Sequence, residues 1–223
     1  DTYVQRERAE NENREMVITN TTAKSSLVMP LGNHRVTMGA DFIEEALSDK
    51  TSNRISDLTR IDTAKYALFA EDEWMLTDTF SLTAGARLDD DDNFGSHFSP
   101  RLYGVGGFSP RWTLKGGVST GFRSPSLREI TPDWGQVSRG GNIYGNPDLE
   151  PETSVNKELG LYFNAGRSLM ANATVFHNDF EDKITRIACP IAICTDGANQ
   201  FGSDPTYRVN VDEAVTRGVE AAL

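Results

Sequence analysis

The feature that most constrains this chain is an alternation of apolar and polar residues with a period of two. It is clearest over residues 80–88, where every second residue is apolar. The apolar set is Phe80, Leu82, Ala84, Ala86 and Leu88. Residues 34–42 show the same pattern. Successive side chains of a β-strand point to opposite faces, so this period predicts strands with one apolar and one polar face. No helical pattern of any length accompanies it, and the sequence predicts an all-β fold.

The predicted strands form antiparallel hairpins, and the connections between them alternate in length. Short turns are predicted after Met29, Leu76, Phe108 and Asn164. Generally longer connections are predicted at residues 47–60, 92–96, 122–154 and 181–206, although 92–96 is itself short. Residues 1–15 are charged and lack periodicity, which indicates an exposed loop end or a strand top. With a last strand at 207–223, the count is about nine strands.

Composition permits a β-type membrane protein without requiring one. Hydrophobic residues make up 38% of the chain, and no run reaches the roughly 18 apolar residues of a membrane helix. In a transmembrane β-barrel only every second residue faces lipid, so a polar composition is compatible with that fold. The formal net charge of -11 argues against nucleic acid as a partner, because such binding needs a basic surface.

Aromatic residues cluster beside the predicted short turns. They are Trp74, Phe80, Phe108, Trp112 and Phe163. Aromatic residues at one level form a girdle where the strands of a membrane barrel leave the hydrocarbon. A soluble β-sandwich with the same residues in its core is the alternative, and hydrophobic alternation alone does not separate the two. The girdle and the asymmetry of the turns favour an antiparallel transmembrane β-barrel.

The longest predicted loop carries a family resemblance. Residues 121–127 read GFRSPSL and residues 145–153 read GNPDLEPET, and these segments resemble the barrel of TonB-dependent outer-membrane receptors. The intervening LREITPDWGQVSRGGNIY is most similar to the branch of ferric-catecholate siderophore and colicin I receptors. The resemblance implies a 22-stranded barrel with a plugged lumen. Residues 1–223 are then part of the barrel wall, with the N-terminal plug, the TonB box and the final strand outside it.

The resemblance also implies a function and partners. The parent protein is expected to lie in the bacterial outer membrane and to import a ferric siderophore of the catecholate class, energised through TonB. Its expected partners are the siderophore, TonB through the N-terminal region, outer-membrane lipid, and colicins or phages that use the same loops. No catalysis and no cofactor are expected. A passive porin and a soluble β-rich hydrolase are the alternatives, and an isolated barrel wall is expected to aggregate through its open edges.

Seven residues of the long loops are candidate ligand contacts. They are Arg123, Arg128, Trp134, Gln136, Arg139, Tyr144 and Arg186. Arginine suits an anionic, planar, oxygen-rich ligand through its charge and by stacking, and aromatic rings supply apolar walls. Acidic residues share the same loop, so the alternative is that these side chains pair internally and hold the loop in shape.

Three further motifs carry possible chemistry. Cys189 and Cys194 are too far apart for a C-x-x-C redox pair and lack a zinc-completing cluster, so an oxidising compartment would make them a disulfide, with two thiols as the alternative. The acidic run Asp89, Asp90, Asp91 and Asp92 is either a solvated rim or a calcium site. Residues 117–121, GVSTG, match the nucleophile-elbow pattern, but Ser119 is predicted inside a strand rather than on the required sharp turn.

Overall fold

The computed structural model describes residues 1–12, 15–49, 60–131, 138–166, 169–195 and 197–223. Their strands are β1 (Thr2–Asn11), β2 (Met16–Leu31), β3 (His34–Asp49), β4 (Arg60–Thr77), β5 (Phe80–Asp91), β6 (Gly95–Ser109), β7 (Trp112–Arg123), β8 (Ile143–Tyr144), β9 (Glu152–Asn164), β10 (Met170–Ala188) and β11 (Thr206–Ala222). A helix of four residues, α1 (Leu127–Ile130), lies between β7 and β8. The prediction of an all-β fold is confirmed.

All the strands belong to one open sheet in which neighbours in sequence are neighbours in space. The order is β1-β2-β3-β4-β5-β6-β7-β9-β10-β11-β8. The pairs are antiparallel, except that the two-residue β8 runs parallel to the start of β11. The described residues thus contain ten long strands and one short one, and the predicted count of about nine was too low.

The strand that the prediction missed is β1. The sequence analysis assigned residues 1–15 to an exposed loop end or a strand top. Instead, β1 pairs with β2 without interruption, from Thr2 opposite Ser25 to Asn11 opposite Met16. Its sequence, TYVQRERAEN, places polar residues on both faces. Because both faces are polar, the hydropathy of this strand does not alternate, and the pattern does not reveal it. The pairing itself depends on backbone groups, which the residues carry whatever their side chains. The short α1 escaped prediction for a related reason, since four residues cannot display a helical period.

The short turns lie where the sequence predicts them. Residues 32–33, 78–79 and 110–111 connect β2 to β3, β4 to β5 and β6 to β7. Gly32 has a φ of 64°, a left-handed conformation that glycine adopts without steric cost. The fourth turn follows Asn164, and its residues 167–168 lie outside the described part. One end of the sheet therefore carries the tight turns and the other carries the longer connections.

The two faces of the sheet differ in polarity, as the alternation predicts. On β5, Leu82, Ala84 and Ala86 lie opposite Trp74, Asp72 and Ala70 of β4. Cross-strand partners share a face, so this face is largely apolar. The opposite face carries ion pairs within and between strands. Arg87 bonds to Asp41 at 2.7 Å and Asp89 at 2.9 Å, and Arg101 pairs with Glu71 at 3.1 Å. We call the two surfaces the apolar face and the polar face.

Aromatic side chains mark two levels of the sheet. Beside the short turns, the Trp112 ring lies 6.3 Å from that of Phe108 and 4.8 Å from that of Phe163, between ring centroids. Toward the other end, Phe42 and Tyr66 pair at 5.1 Å. Tyr66 precedes Trp74 by eight residues on β4, about 27 Å along a strand. Strand tilt shortens this separation toward the roughly 25 Å apolar band of an outer-membrane barrel. The sequence analysis found only the first level.

The buried apolar core is small. Leu47 and Leu127 form it, with Met16, Ile18 and Ile61 packed against them. By the pairing register the strand residues of this cluster lie on the polar face, where α1 covers them. Within the described ranges, no helix has the length and hydrophobicity needed to span a membrane.

Candidate functional site

Two long connections gather at the end of the sheet opposite the tight turns. The β7–β9 loop comprises residues 124–151 and includes α1 and β8, and the β10–β11 loop comprises residues 189–205. The first turns inward over the polar face, because Leu127 of α1 packs against Leu47 of β3. At its start, the Lys65 ammonium donates to the Ser124 hydroxyl at 2.8 Å and lies 3.3 Å from Asp91. The loop therefore bridges strands that are distant in the sheet.

Glu129 is the centre of the β7–β9 loop. Its side chain is only 7% exposed, and it accepts hydrogen bonds from Arg123 of β7 and Arg208 of β11. The backbone amide of Ser126 donates to the same carboxylate at 2.8 Å. Arg123 also pairs with Glu152 at 3.2 Å. A buried carboxylate with three donors fixes the position of α1 between two strands that are not neighbours.

These contacts determine the charge of Glu129. Burial alone would raise the pKa of its carboxyl, but the hydrogen bond from the Ser126 amide and the positive charges of Arg208 and Arg123 outweigh burial. The pKa of Glu129 consequently lies below its ordinary value of 4.5. The carboxylate is ionised at neutral pH, and the ionised form holds the loop in place.

The two long loops interlock through backbone and amide groups. The Asn199 side-chain amide donates to the Ser138 carbonyl at 2.7 Å and to the Asn142 side chain at 3.2 Å. The Ser203 hydroxyl donates to the Arg139 carbonyl at 2.7 Å. These bonds join the described parts of the two loops into one surface, which we call the loop platform.

The GNPDLEP segment, residues 145–151, closes the β7–β9 loop. The Asn146 amide donates to the Glu129 carbonyl at 2.6 Å, and its side chain donates to the Arg208 carbonyl at 3.0 Å. Leu149 is buried, at 3% exposure. Gly145 has no room for a side chain, since a Cβ there would lie 2.2 Å from the Thr131 carbonyl oxygen. The segment that carries the family resemblance therefore holds the end of the β7–β9 loop in place.

The four predicted arginines occupy different environments. Arg123 is engaged by Glu129 and Glu152, and Arg128 donates to the sulfur of Met16. Arg139 and Arg186 are exposed. The internal pairing that the sequence left open describes Arg123 well. Arg123 is paired although its side chain is 49% exposed, whereas Arg139 and Arg186 are exposed without such a pairing to a described residue.

The aromatic and amide candidates divide in a similar way. Tyr144 lies in β8 and is buried, at 4% exposure, so its ring packs inside the loop in this structure. Trp134 and Gln136 lie outside the described residues. The assignment of these seven side chains to a ligand site stays a prediction.

Arg208 is a functional candidate that the sequence analysis missed. It lies opposite Arg186 in the β10–β11 pairing and is 18% exposed. Together with Arg123, it brings two guanidinium groups to the buried carboxylate of Glu129. The residues next to Arg208 in sequence give no sign of a functional role, because they form an ordinary strand pattern. Only the register of β10 with β11 could have drawn attention to it.

The disulfide prediction is confirmed. Cys189 and Cys194 are bonded in the β10–β11 loop, with their Cα atoms 5.9 Å apart. The Cys189 amide also donates to the Pro205 carbonyl at 3.0 Å. The bridge and this bond close the base of the loop beside the start of β11.

The acidic run disperses its four carboxylates among different partners. In chain order those partners are Arg87, Ser96, Lys65 and the backbone amide of Ala64. In the part of the chain that the structure describes, no group of three or more His, Cys, Asp or Glu is arranged to hold a metal ion. Asp91 is 4% exposed, so the run is not uniformly solvated, and the choice between a rim and a calcium site stays a prediction.

Ser119 lies within β7, as predicted, and its surroundings do not resemble a hydrolase site. The histidines have other neighbours: His34 bonds to Asp72, His177 bonds to Asp179, and His97 stacks on Phe122. The nucleophile-elbow pattern therefore lacks both its turn and its base in this structure.

Comparison with known proteins identifies the family. Residues 2–223 match the family described as TonB dependent receptor-like, beta-barrel. The chain is 62% identical, over its whole length, to an iron-regulated outer membrane virulence protein of Vibrio cholerae, of which it covers 34%. It is 32% identical to the ferrienterobactin receptor of Escherichia coli, over 86% of this chain and 29% of that one. The chain thus spans about a third of the length of these relatives.

Solved structures agree with this similarity. The siderophore receptor PirA from Pseudomonas aeruginosa superposes with a TM-score of 0.83 at 29% identity, over 96% of this chain and 41% of PirA. A mutant of the ferric enterobactin receptor PfeA from the same species, in complex with enterobactin, gives a TM-score of 0.74 at 28% identity, over 99% of this chain and 37% of PfeA. The alternating faces, the aromatic levels and the one-sided loops are those of an outer-membrane barrel wall. The chain belongs to the β-barrel family of TonB-dependent outer-membrane receptors.

Proposed function

We propose that the receptor to which this chain belongs captures a ferric siderophore of the catecholate class at the loop platform and imports it with energy supplied through TonB. The observation that carries the proposal is the platform itself. It exposes Arg139 and Arg186, while the buried Glu129 and its arginine partners hold its shape. Exposed guanidinium groups on an ordered surface at the outer mouth of a barrel suit an anionic, oxygen-rich ligand.

Catecholate chemistry fits these side chains. A ferric catecholate is anionic and presents aromatic rings and oxygen atoms. Guanidinium groups bind such oxygens with charge-assisted hydrogen bonds and stack on the rings. The named relatives include ferric enterobactin receptors, which supports this class over hydroxamates. TonB, outer-membrane lipid, and colicins or phages that use the same loops belong to the same proposal. The proposal assigns no catalytic residue.

The class of ligand is tested by fluorescence quenching of the full-length receptor in detergent. Ferric catecholates, ferric hydroxamates, haem and cobalamin are compared at equal concentrations. Binding of the catecholate in clear preference to the others supports the proposal. Preference for another ligand removes the catecholate assignment, and saturable binding of none of them refutes the siderophore function.

The role of the exposed arginines is tested separately. Arg139→Ala and Arg186→Ala are each expected to weaken catecholate binding about tenfold, the contribution of one charged hydrogen bond. The control is Arg35→Ala, an exposed arginine near the short turns that pairs with Glu73 at 3.3 Å. The triple replacement of Arg123, Arg128 and Arg139 by Ala extends the test to the arginines with internal partners. Unchanged affinity in correctly folded variants removes the arginines from the site.

A further inference from the structure

Three basic residues lie side by side on the apolar face. Lys157 of β9 is the cross-strand partner of His177 of β10, which is in turn the partner of Arg217 of β11. Toward the middle of the sheet, the next partner of Lys157 is Val118 of β7. We call Lys157, His177 and Arg217 the basic row. On the side of the short turns, it borders apolar residues of the same three strands.

The basic row is only partly neutralised within the described residues. Asp179 accepts hydrogen bonds from Lys157 at 2.9 Å and from His177 at 2.7 Å. Arg217 is exposed, and its guanidinium has no hydrogen bond or ion pair with any residue that the structure describes. Basic groups opposite each other on adjacent strands repel. One carboxylate against this row leaves a net positive charge that favours a further anion.

A broad groove of about 1250 Å³ adjoins the basic row on the same face. Its wall residues on this face are mainly apolar: Phe80, Leu114, Val118, Leu159, Val175 and Val219. Its floor is shaped by glycine. Phe80 lies across Gly104 and Gly106, and Leu159 lies against Gly116, so the glycines let these larger side chains lie close to the sheet and line the groove. The groove matches hydrocarbon in chemistry and ends at the row of positive charge.

The height of the basic row places it in the leaflet nearest the long loops. Lys157 is six residues before Phe163 on β9, about 20 Å along the strand from the aromatic residues beside the short turns. The Lys157 ammonium reaches Asp179, which lies beyond His177 in the direction of the loops. Long basic side chains extend in this way to bring their charge to the membrane interface. At a strand tilt of about 40°, this separation is about 15 Å of the roughly 25 Å apolar band. The basic row therefore lies in the outer half of the band, and Lys157 extends from there toward the head groups of the outer leaflet.

We propose that the groove and the basic row together bind one phosphorylated lipid of the outer leaflet. An acyl chain lies along the apolar lining of the groove, and the phosphate sits against Lys157, His177 and Arg217. Both halves of the site are needed, because the groove supplies apolar contact and the basic row supplies charge complementarity. This site is on the outer wall of the barrel and is separate from the loop platform.

The test uses the full-length receptor and native mass spectrometry. The receptor is exchanged into detergent with bis-phosphorylated lipid A or with lipid A from which both phosphates have been removed. Wild-type receptor should retain the phosphorylated form. The double variant Lys157→Gln/Arg217→Gln should bind it about thirtyfold less tightly, since each basic residue near an anionic lipid surface contributes about a factor of five. Gly104→Val, whose Cβ would meet Phe80 at an ordinary 3.7 Å, should weaken retention of both lipids.

A matched control separates a specific site from general charge. Arg6 and Arg8 of β1 lie on the same face by register but away from the groove, and Arg6→Gln/Arg8→Gln should leave lipid retention unchanged. Heat-modified mobility on gels and ferric-siderophore binding verify the folding of every variant. Equal retention of the two lipids, equal loss in the control, or a dimer in place of the lipid adduct would each overturn the proposal.

Discussion

The carboxylate of Glu129 accepts a hydrogen bond from the guanidinium of Arg208, which lies 79 residues farther along the chain. This contact joins α1 to β11, although three other strand segments separate them in sequence. Arg123 binds the same carboxylate from β7 at 3.0 Å. The loop platform is thus fixed by a buried charge whose partners come from two distant strands.

Replacement of Glu129 by Gln should loosen the platform without unfolding the barrel. The change leaves Arg208 and Arg123 without their shared anion, and Arg208 is largely buried. Breaking a buried ion pair on one side costs about 3 kcal/mol, and we expect a loss near that size in the local opening free energy of the loop. Hydrogen exchange at residues 138–146 measures it. Glu150→Gln is the control, because Glu150 is exposed and only its backbone bonds to Asn210. Equal protection in both variants would contradict the role of Glu129.

The platform should also depend on pH through Glu129. Its pKa is lowered on folding because the Ser126 amide, Arg208 and Arg123 outweigh the effect of burial. A carboxyl group with a lowered pKa stabilises the folded state fully above its unfolded value of 4.5, and this contribution disappears as the pH falls through the folded pKa. Protection factors in the loop should therefore stay constant from about pH 7 to pH 5 and fall below about pH 4. In Glu129→Gln this step should be absent, and a step that persists there would assign the titration to another group.

Gly145→Ala should displace the β7–β9 loop. The added methyl group would lie 2.2 Å from the Thr131 carbonyl oxygen and 2.9 Å from that of Arg128. Overpacking of this kind costs about 1–3 kcal/mol, and catecholate affinity should fall with the loop geometry. The matched control is Gly197→Ala, since a Cβ at Gly197 meets nothing within 4 Å. Thermal unfolding of the loop, monitored by hydrogen exchange, distinguishes the two variants. A neutral Gly145→Ala would show that the close approach is not required.

A charge placed on each face should test the assignment of the apolar face to lipid. Leu102 is 51% exposed on the apolar face, and Leu102→Lys should destabilise the membrane-inserted barrel by about 2–4 kcal/mol, the cost of a lysine near the midplane. Thr83 lies on the polar face opposite Glu73, so Thr83→Lys should be tolerated. Denaturant unfolding of the full-length receptor from lipid vesicles gives both values. Similar costs for the two variants would mean that the faces are assigned incorrectly.

The sequence by itself determined the all-β fold, the short turns and the polarity of the two faces. These features are local: the alternation in residues 80–88 and the turn residues such as Gly32 act within one hairpin. The cysteine pair is local as well, since Cys189 and Cys194 are five residues apart. The strand β1 escaped prediction because its pairing uses backbone groups, which hydropathy does not report.

Only the tertiary structure decided which loop arginines have internal partners. Arg123, Arg139 and Arg186 look alike in sequence and are all exposed, but Arg123 is bound to the buried carboxylate of Glu129. The basic row is likewise invisible along the chain, because Lys157, His177 and Arg217 meet only through the register of three strands. Local patterns report what each residue prefers next to its neighbours in sequence. Burial and charge pairing depend on residues that the fold brings together from distant positions.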